Sequence, residues 1–136
     1  MSKILMIDDD PDFRYAVQMV LEAEGFETEM AASGEEGIGK VLDTQPDLVI
    51  LDVIMVKDLE GFEVARTLRE EHGLLELPIL MLTAVHSVKQ VPYRFAPDEE
   101  YLPVDVFMDK PIEPETLIET IKEMLGERRE KPKYPL

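Results

Sequence analysis

The chain has 136 residues, enough for one domain that buries roughly two thirds of its unfolded surface. Its 30 acidic residues against 14 basic ones give a net charge of −16, which repels nucleic-acid phosphates and anionic lipid surfaces. With no cysteine, disulfides and thiolate chemistry are excluded, and the first apolar run, Ile4 to Ile7, is too short for a signal-peptide core or a membrane span. The expected location is therefore the cytoplasm, with no membrane contact and no direct contact with nucleic acid.

Ile4-Leu5-Met6-Ile7 is continuously apolar, as in a strand covered on both faces. Asp10-Pro11 pairs an N-cap residue with proline at the first helical position. Phe13, Ala16, Val17, Val20 and Leu21 then recur at i, i+3, i+4, i+7 and i+8, one apolar helix face that Gly25 closes. Phe26 to Met30 reads as a second strand. Ser33 and Glu36 have capping-box spacing for a helix of about ten residues ending before Pro46. Leu48-Val49-Ile50-Leu51 is a third strand, Gly61 to Glu71 a third helix, Ile79-Leu80-Met81-Leu82 a fourth strand and Val104 to Met108 a fifth. Pro114 opens a last helix with Leu117, Ile118, Ile121 and Leu125 on one face, and Gly126 is expected to stop it.

Such alternation predicts an α/β domain, a parallel sheet with helices on both faces. One stretch breaks the rhythm: Pro92 and Pro97, with Pro103 just beyond, leave no room for a long helix between Ala84 and Leu102. An irregular Pro-rich segment is expected there, replacing or shortening the fourth helix and able to serve as an order–disorder switch. Residues 1–126 are predicted to form the domain. Residues 127–136, which hold the only basic cluster (Arg128, Arg129, Lys131, Lys133), read as a solvated tail or linker.

In an open α/β sheet, ligands bind outside the carboxyl ends of the strands. The first strand runs into Asp8-Asp9, the third into Asp52, the fourth into Thr83 and the fifth into Asp109-Lys110. Crowded carboxylates repel one another unless a cation intervenes, and oxygen-only donors around a partly open site suit a hard ion such as Mg2+. A carboxylate can also act as a nucleophile toward phosphorus, with a metal, a lysine and a hydroxyl offsetting charge on the phosphoryl oxygens. Asp52 follows the central apolar strand and is the natural nucleophile.

Four separated segments carry a resemblance: Ile4-Leu5-Met6-Ile7-Asp8-Asp9-Asp10-Pro11, Leu51-Asp52-Val53-Ile54-Met55, Leu82-Thr83-Ala84 and Phe107-Met108-Asp109-Lys110-Pro111. From Lys3 to about Leu125 the chain resembles the response-regulator receiver family of two-component signalling systems. The resemblance implies a flavodoxin-like, doubly wound sheet of five parallel strands in the order 2-1-3-4-5. It also implies that Asp52 accepts a phosphoryl group from a sensor histidine kinase or a histidine phosphotransfer domain, in a Mg2+-dependent reaction that switches binding of a downstream protein. By position, Asp9 resembles the direct Mg2+ ligand, Asp8 its partner acting largely through water, and the Ile54 carbonyl a third ligand beside Asp52. Thr83 resembles the hydroxyl that closes on the phosphoryl group, Lys110 the ammonium that contacts it, and Phe107 the aromatic switch. Such a chain is not an enzyme beyond its own aspartyl phosphorylation and dephosphorylation.

The sequence departs from the family in three places. Val56 stands where proline usually follows Met55, the loop Lys57-Asp58-Leu59-Glu60 reaches Gly61 about one residue later than is common in the family, and the Ala84 to Pro103 segment is several residues longer than usual. Asp10 and Asp12 read as helix-capping and first-turn acids. His72 and His86 have no partner at metal-ligand spacing, and an EF-hand reading of Asp8, Asp10 and Asp12 fails because Phe13 and Met19 occupy its glycine and glutamate positions. Two alternatives remain: a haloacid-dehalogenase-type phosphatase using Asp8 as nucleophile and Asp10 as acid, or a binding-only receiver that is never phosphorylated. The chain reads either as a stand-alone receiver or as a piece of a longer protein.

Overall fold

The structure, a computed structural model, describes residues 2–52, 60–84 and 104–128. Its five strands are β1 (Lys3–Ile7), β2 (Glu27–Ala31), β3 (Leu48–Asp52), β4 (Ile79–Ala84) and β5 (Val106–Lys110), all parallel, in the order β2-β1-β3-β4-β5. The helices are α1 (Pro11–Ala23), α2 (Gly34–Thr44), α3 (Glu60–Arg66) and α4, the helix after β5 (Pro114–Arg128). This is the parallel α/β sheet that the alternation predicted, in the flavodoxin-like strand order that the family resemblance implied.

Each inner strand serves two cores because successive side chains point to opposite faces. Leu5, Ile7, Val49, Leu51, Ile79 and Met81 pack with Val41 of α2 and Phe62 and Ala65 of α3. Ile4, Met6, Leu48, Ile50, Leu80 and Leu82 pack with Val17 and Leu21 of α1 and Leu117 and Ile121 of α4. That is why β1 and β3 read as unbroken apolar runs. Edge strand β2 buries only Ala31, and its sequence is correspondingly mixed.

Local signals behave as their chemistry demands. Asp10 Oδ1 caps α1, accepting from the backbone N–H of Asp12 at 3.0 Å and of Phe13 at 3.4 Å. Gly25 follows α1 with φ 94°, the left-handed conformation open to glycine. Ser33 Oγ accepts from Glu36 N, while the Glu36 carboxylate reaches back to Ala32 N, one residue before the capping-box position.

The structure corrects several boundaries. α4 continues through Gly126 to Arg128, so that glycine does not stop the helix. The third helix ends in a π-helical stretch, Thr67–Glu71, closed by an i→i+5 bond from His72 N to Thr67 O. β2 begins one residue later than Phe26, and β5 begins at Val106 rather than Val104. The β5 shift follows from Asp105, whose Oδ2 is engaged with Ile79 N at 2.8 Å and the Arg69 guanidinium at 3.0 Å. The Pro-rich stretch of 85–103, with the expected switch and shortened helix, lies outside the described residues, as do Ile54, Val56 and positions 129–136.

Candidate metal centre and phosphoryl site

β1 and β3 are neighbours in register, Ile7 beside Leu51, so the residues that follow emerge side by side at the carboxyl rim. The acid pair is fixed from three directions. Asp8 N donates to Ala31 O of β2, Arg14 Nη1 of α1 donates to Asp8 O at 2.6 Å, and Asp8 Oδ1 accepts from Asp10 N at 2.9 Å. Carboxylate oxygens of Asp8, Asp9 and Asp52 thereby gather within 4.8 Å of one another, the one such cluster among the described residues.

Lys110, at the end of β5, reaches across β4 into this group. Its Nζ lies 3.3 Å from Asp52 Oδ1 and 3.5 Å from Asp8 Oδ2. Both acids are buried, with Asp8 fully enclosed and Asp52 only 6% exposed. Burial pushes the Asp52 carboxyl up to about 6; the charge of Asp8 adds to the rise, and the Lys110 ammonium opposes it. Burial raises Asp8 as well, against its bond from Asp10 N and the charge of Lys110.

One ammonium does not satisfy three carboxylates. Asp8 Oδ2 is buried and accepts no hydrogen bond. Its nearest cation is the shared Lys110 ammonium at 3.5 Å, and a buried anionic oxygen without a hydrogen bond in an oxygen-only cluster is what a hard divalent cation would complete, so the residues present fit Mg2+.

The sequence-predicted residues separate into groups. Asp8, Asp9, Asp52 and Lys110 come together. Thr83 is positioned by its backbone at the carboxyl end of β4, paired with Asp109. Phe107 is half-buried on the opposite core, tilted against Phe62 with ring centroids 6.2 Å apart. Asp10, the acid of the phosphatase alternative, spends its carboxylate on the α1 N-terminus, as a capping residue should. Two residues now prove close to the site that sequence reasoning did not single out: Arg14, gripping the Asp8 carbonyl, and Phe13, whose ring lies 4.4 Å from Lys110 Nζ. Phe13 carries the periodicity of an apolar helix face, so nothing in the pattern marks it as facing a cation.

Comparison with known proteins agrees with this geometry. Residues 4–122 match the family model of the response regulator receiver domain. The chain is 31% identical over 92% of its length to the DNA-binding dual master transcriptional regulator RpaA of Synechocystis sp.. It is 32% identical over 96% to the DNA-binding response regulator MtrA of Mycolicibacterium smegmatis. It covers 49% and 54% of those two proteins, about half the length of each. Among solved structures, a CheY-like receiver domain protein from Methanospirillum hungatei superposes with a TM-score of 0.81 at 28% identity, covering 97% of this chain and 99% of that one. TrrA from Thermotoga maritima, solved in complex with Mg(2+)-BeF, gives 0.74 at 30% identity, over 91% and 99%. The phosphatase and binding-only alternatives gain no support from these likenesses. A doubly wound sheet whose first, third and fifth strands deliver two acids, one acid and a lysine to a single rim, matched along nearly its whole length, belongs to the response-regulator receiver family.

Proposed function

We propose that Asp52 accepts a phosphoryl group from a phosphohistidine on a sensor kinase or histidine phosphotransfer domain, and that the modified receiver changes its binding to a downstream protein. Receiver domains are in general not classical enzymes; the chemistry proposed is this chain's own phosphorylation and its reversal. The observation that carries the reading is the buried Asp52 carboxylate held beside two further acids and the Lys110 ammonium. A carboxylate oxygen of Asp52 attacks phosphorus, the P–N bond to the donor imidazole breaks, and the nitrogen leaves with the electron pair. Lys110 follows the charge from Asp52 onto a phosphoryl oxygen, and Thr83 donates its hydroxyl to another. Mg2+, held by Asp9, Asp52, the Ile54 carbonyl and Asp8 through water, would offset negative charge on the phosphoryl oxygens. Phe107 serves as the aromatic that responds to Thr83. The cytoplasm is the compartment where such a donor meets the receiver, and no described helix is long and apolar enough to cross a membrane.

The receiver unit is assigned to residues 1–126 and the tail or linker to 127–136. Two relatives that match this chain over about half their own length are named for DNA binding; the acidic receiver itself contacts proteins.

Incubation with acetyl phosphate and Mg2+, followed by intact-mass measurement, tests the assignment. The wild type is expected to gain one hydroxylamine-labile phosphoryl group and Asp52→Asn none. Labelling of Asp52→Asn at the wild-type rate defeats it.

A further inference from the structure

The Lys110 ammonium has three close partners, and two of them are the carboxylates already described. The third is Phe13, whose ring centroid lies 4.4 Å from Nζ, within the range where an aromatic face attracts an ammonium. Phe13 is itself fixed. It sits in the first turn of α1, its backbone N–H is tied to the Asp10 carboxylate at 3.4 Å, and its side chain packs on the core shared by α1 and α4. The same short segment that presents Asp8 and Asp9 thus also presents a ring to the lysine that pairs with Asp8.

We propose that Phe13 is a positioning residue for phosphoryl transfer, its ring face holding the Lys110 ammonium at the mouth of the acid cluster. The proposal rests on the phosphoryl-accepting role of Asp52. A lysine is a point charge on a flexible four-carbon stem, and two carboxylates alone fix its direction poorly. The ring supplies what they lack: a rigid apolar surface that attracts the charge without neutralising it. The ammonium can then exchange its Asp52 oxygen for a phosphoryl oxygen without leaving the rim. An aliphatic side chain of similar size would pack the same core but exert no such pull.

Phe13→Leu and Phe13→Tyr separate the ring face from the apolar volume. Phe13→Leu is expected to slow phosphorylation by acetyl phosphate about three- to tenfold, while Phe13→Tyr stays within about twofold of wild type. In a Lys110→Ala background, Phe13→Leu should cause no further loss, because its effect passes through the lysine. The contact is also read without any phosphoryl donor: ring-current shielding should move the Lys110 ε-methylene resonances upfield in the wild type and Phe13→Tyr, and not in Phe13→Leu. Wild-type rates in Phe13→Leu, equal losses in both variants, additive losses with Lys110→Ala, or unshielded resonances in the wild type overturn the positioning role alone. A wild type that takes up no phosphoryl group overturns the Asp52 reading and this proposal together.

Discussion

Asp52 meets two demands that pull against each other. In the role proposed for it, it must be ionised to attack phosphorus, yet it sits where burial and the neighbouring Asp8 charge penalise ionisation and hold its carboxyl near 6. In the metal-free protein this makes Asp52 a source of pH-dependent stability. Its folded value lies above its ordinary 3.8, so the folded state binds the extra proton between those two values and stability from this group is lost as pH rises through about 6. Asp52→Asn removes the buried charge and is expected to raise stability at pH 7 by about 1–3 kcal/mol, with the gain shrinking toward pH 4. Urea denaturation at both pH values in EDTA checks the sign. The same ionisation governs reactivity: at low Mg2+, phosphorylation by acetyl phosphate should fall about tenfold between pH 7 and pH 5. Saturating Mg2+ should move that inflection to lower pH, because a bound cation favours the carboxylate.

Helix α2 shows how closely an element can be fitted to the sheet. A Cβ built on Gly37 would lie 2.2 Å from Ile7 Cδ1 and 2.6 Å from Cγ1, with Ile7 itself fully buried at the end of β1. Alanine favours a helix over glycine by about 1 kcal/mol, but overpacking a full core costs about 1–3 kcal/mol. The steric term wins here because the crowded atoms have no solvent to move into, and Gly37→Ala is expected to destabilise by about 1 kcal/mol. Gly39, two positions on, has nothing within 4 Å of its Cβ position, so Gly39→Ala should stabilise by about 0.5–1 kcal/mol. Denaturation midpoints of the two variants must move in opposite directions. The sequence carried the existence of each described element, because continuous apolar runs and 3.6-residue stripes are local signals. It did not carry their ends: Gly126 resembles a stop but lies within α4, and Arg69 in the π-helical close of the third helix is engaged by Asp105, 36 positions along the chain. At the site, the four charged side chains were legible because each terminates an apolar strand. Phe13 was not, since its role depends on a lysine 97 positions away that periodicity cannot see.

The molecule as a whole separates chemistry from anchorage. The acid cluster and Lys110 occupy the carboxyl ends of the strands, whereas the ion pair of Arg69 and Asp105 clamps their amino ends. Arg69 donates to the carbonyls of Leu74 and Leu77 and to Asp105 Oδ2, which also accepts from Ile79 N at the start of β4. The two side chains are only 10% and 17% exposed, so removing one leaves a charge with little access to water. Asp105→Ala is therefore expected to destabilise by about 2–4 kcal/mol, seen as a lower urea midpoint. The clamp joins α3, β4 and β5 at the pole opposite Asp52, and distant sites without shared partners act independently. Phosphorylation by acetyl phosphate and Mg2+ affinity, measured well below the midpoint, should accordingly stay within about twofold of wild type. A tenfold fall in either, with the fold intact, would mean that strain at the foot of β4 and β5 travels up both strands to Thr83 and Lys110. The rim would then be held by its anchorage and not by its own contacts.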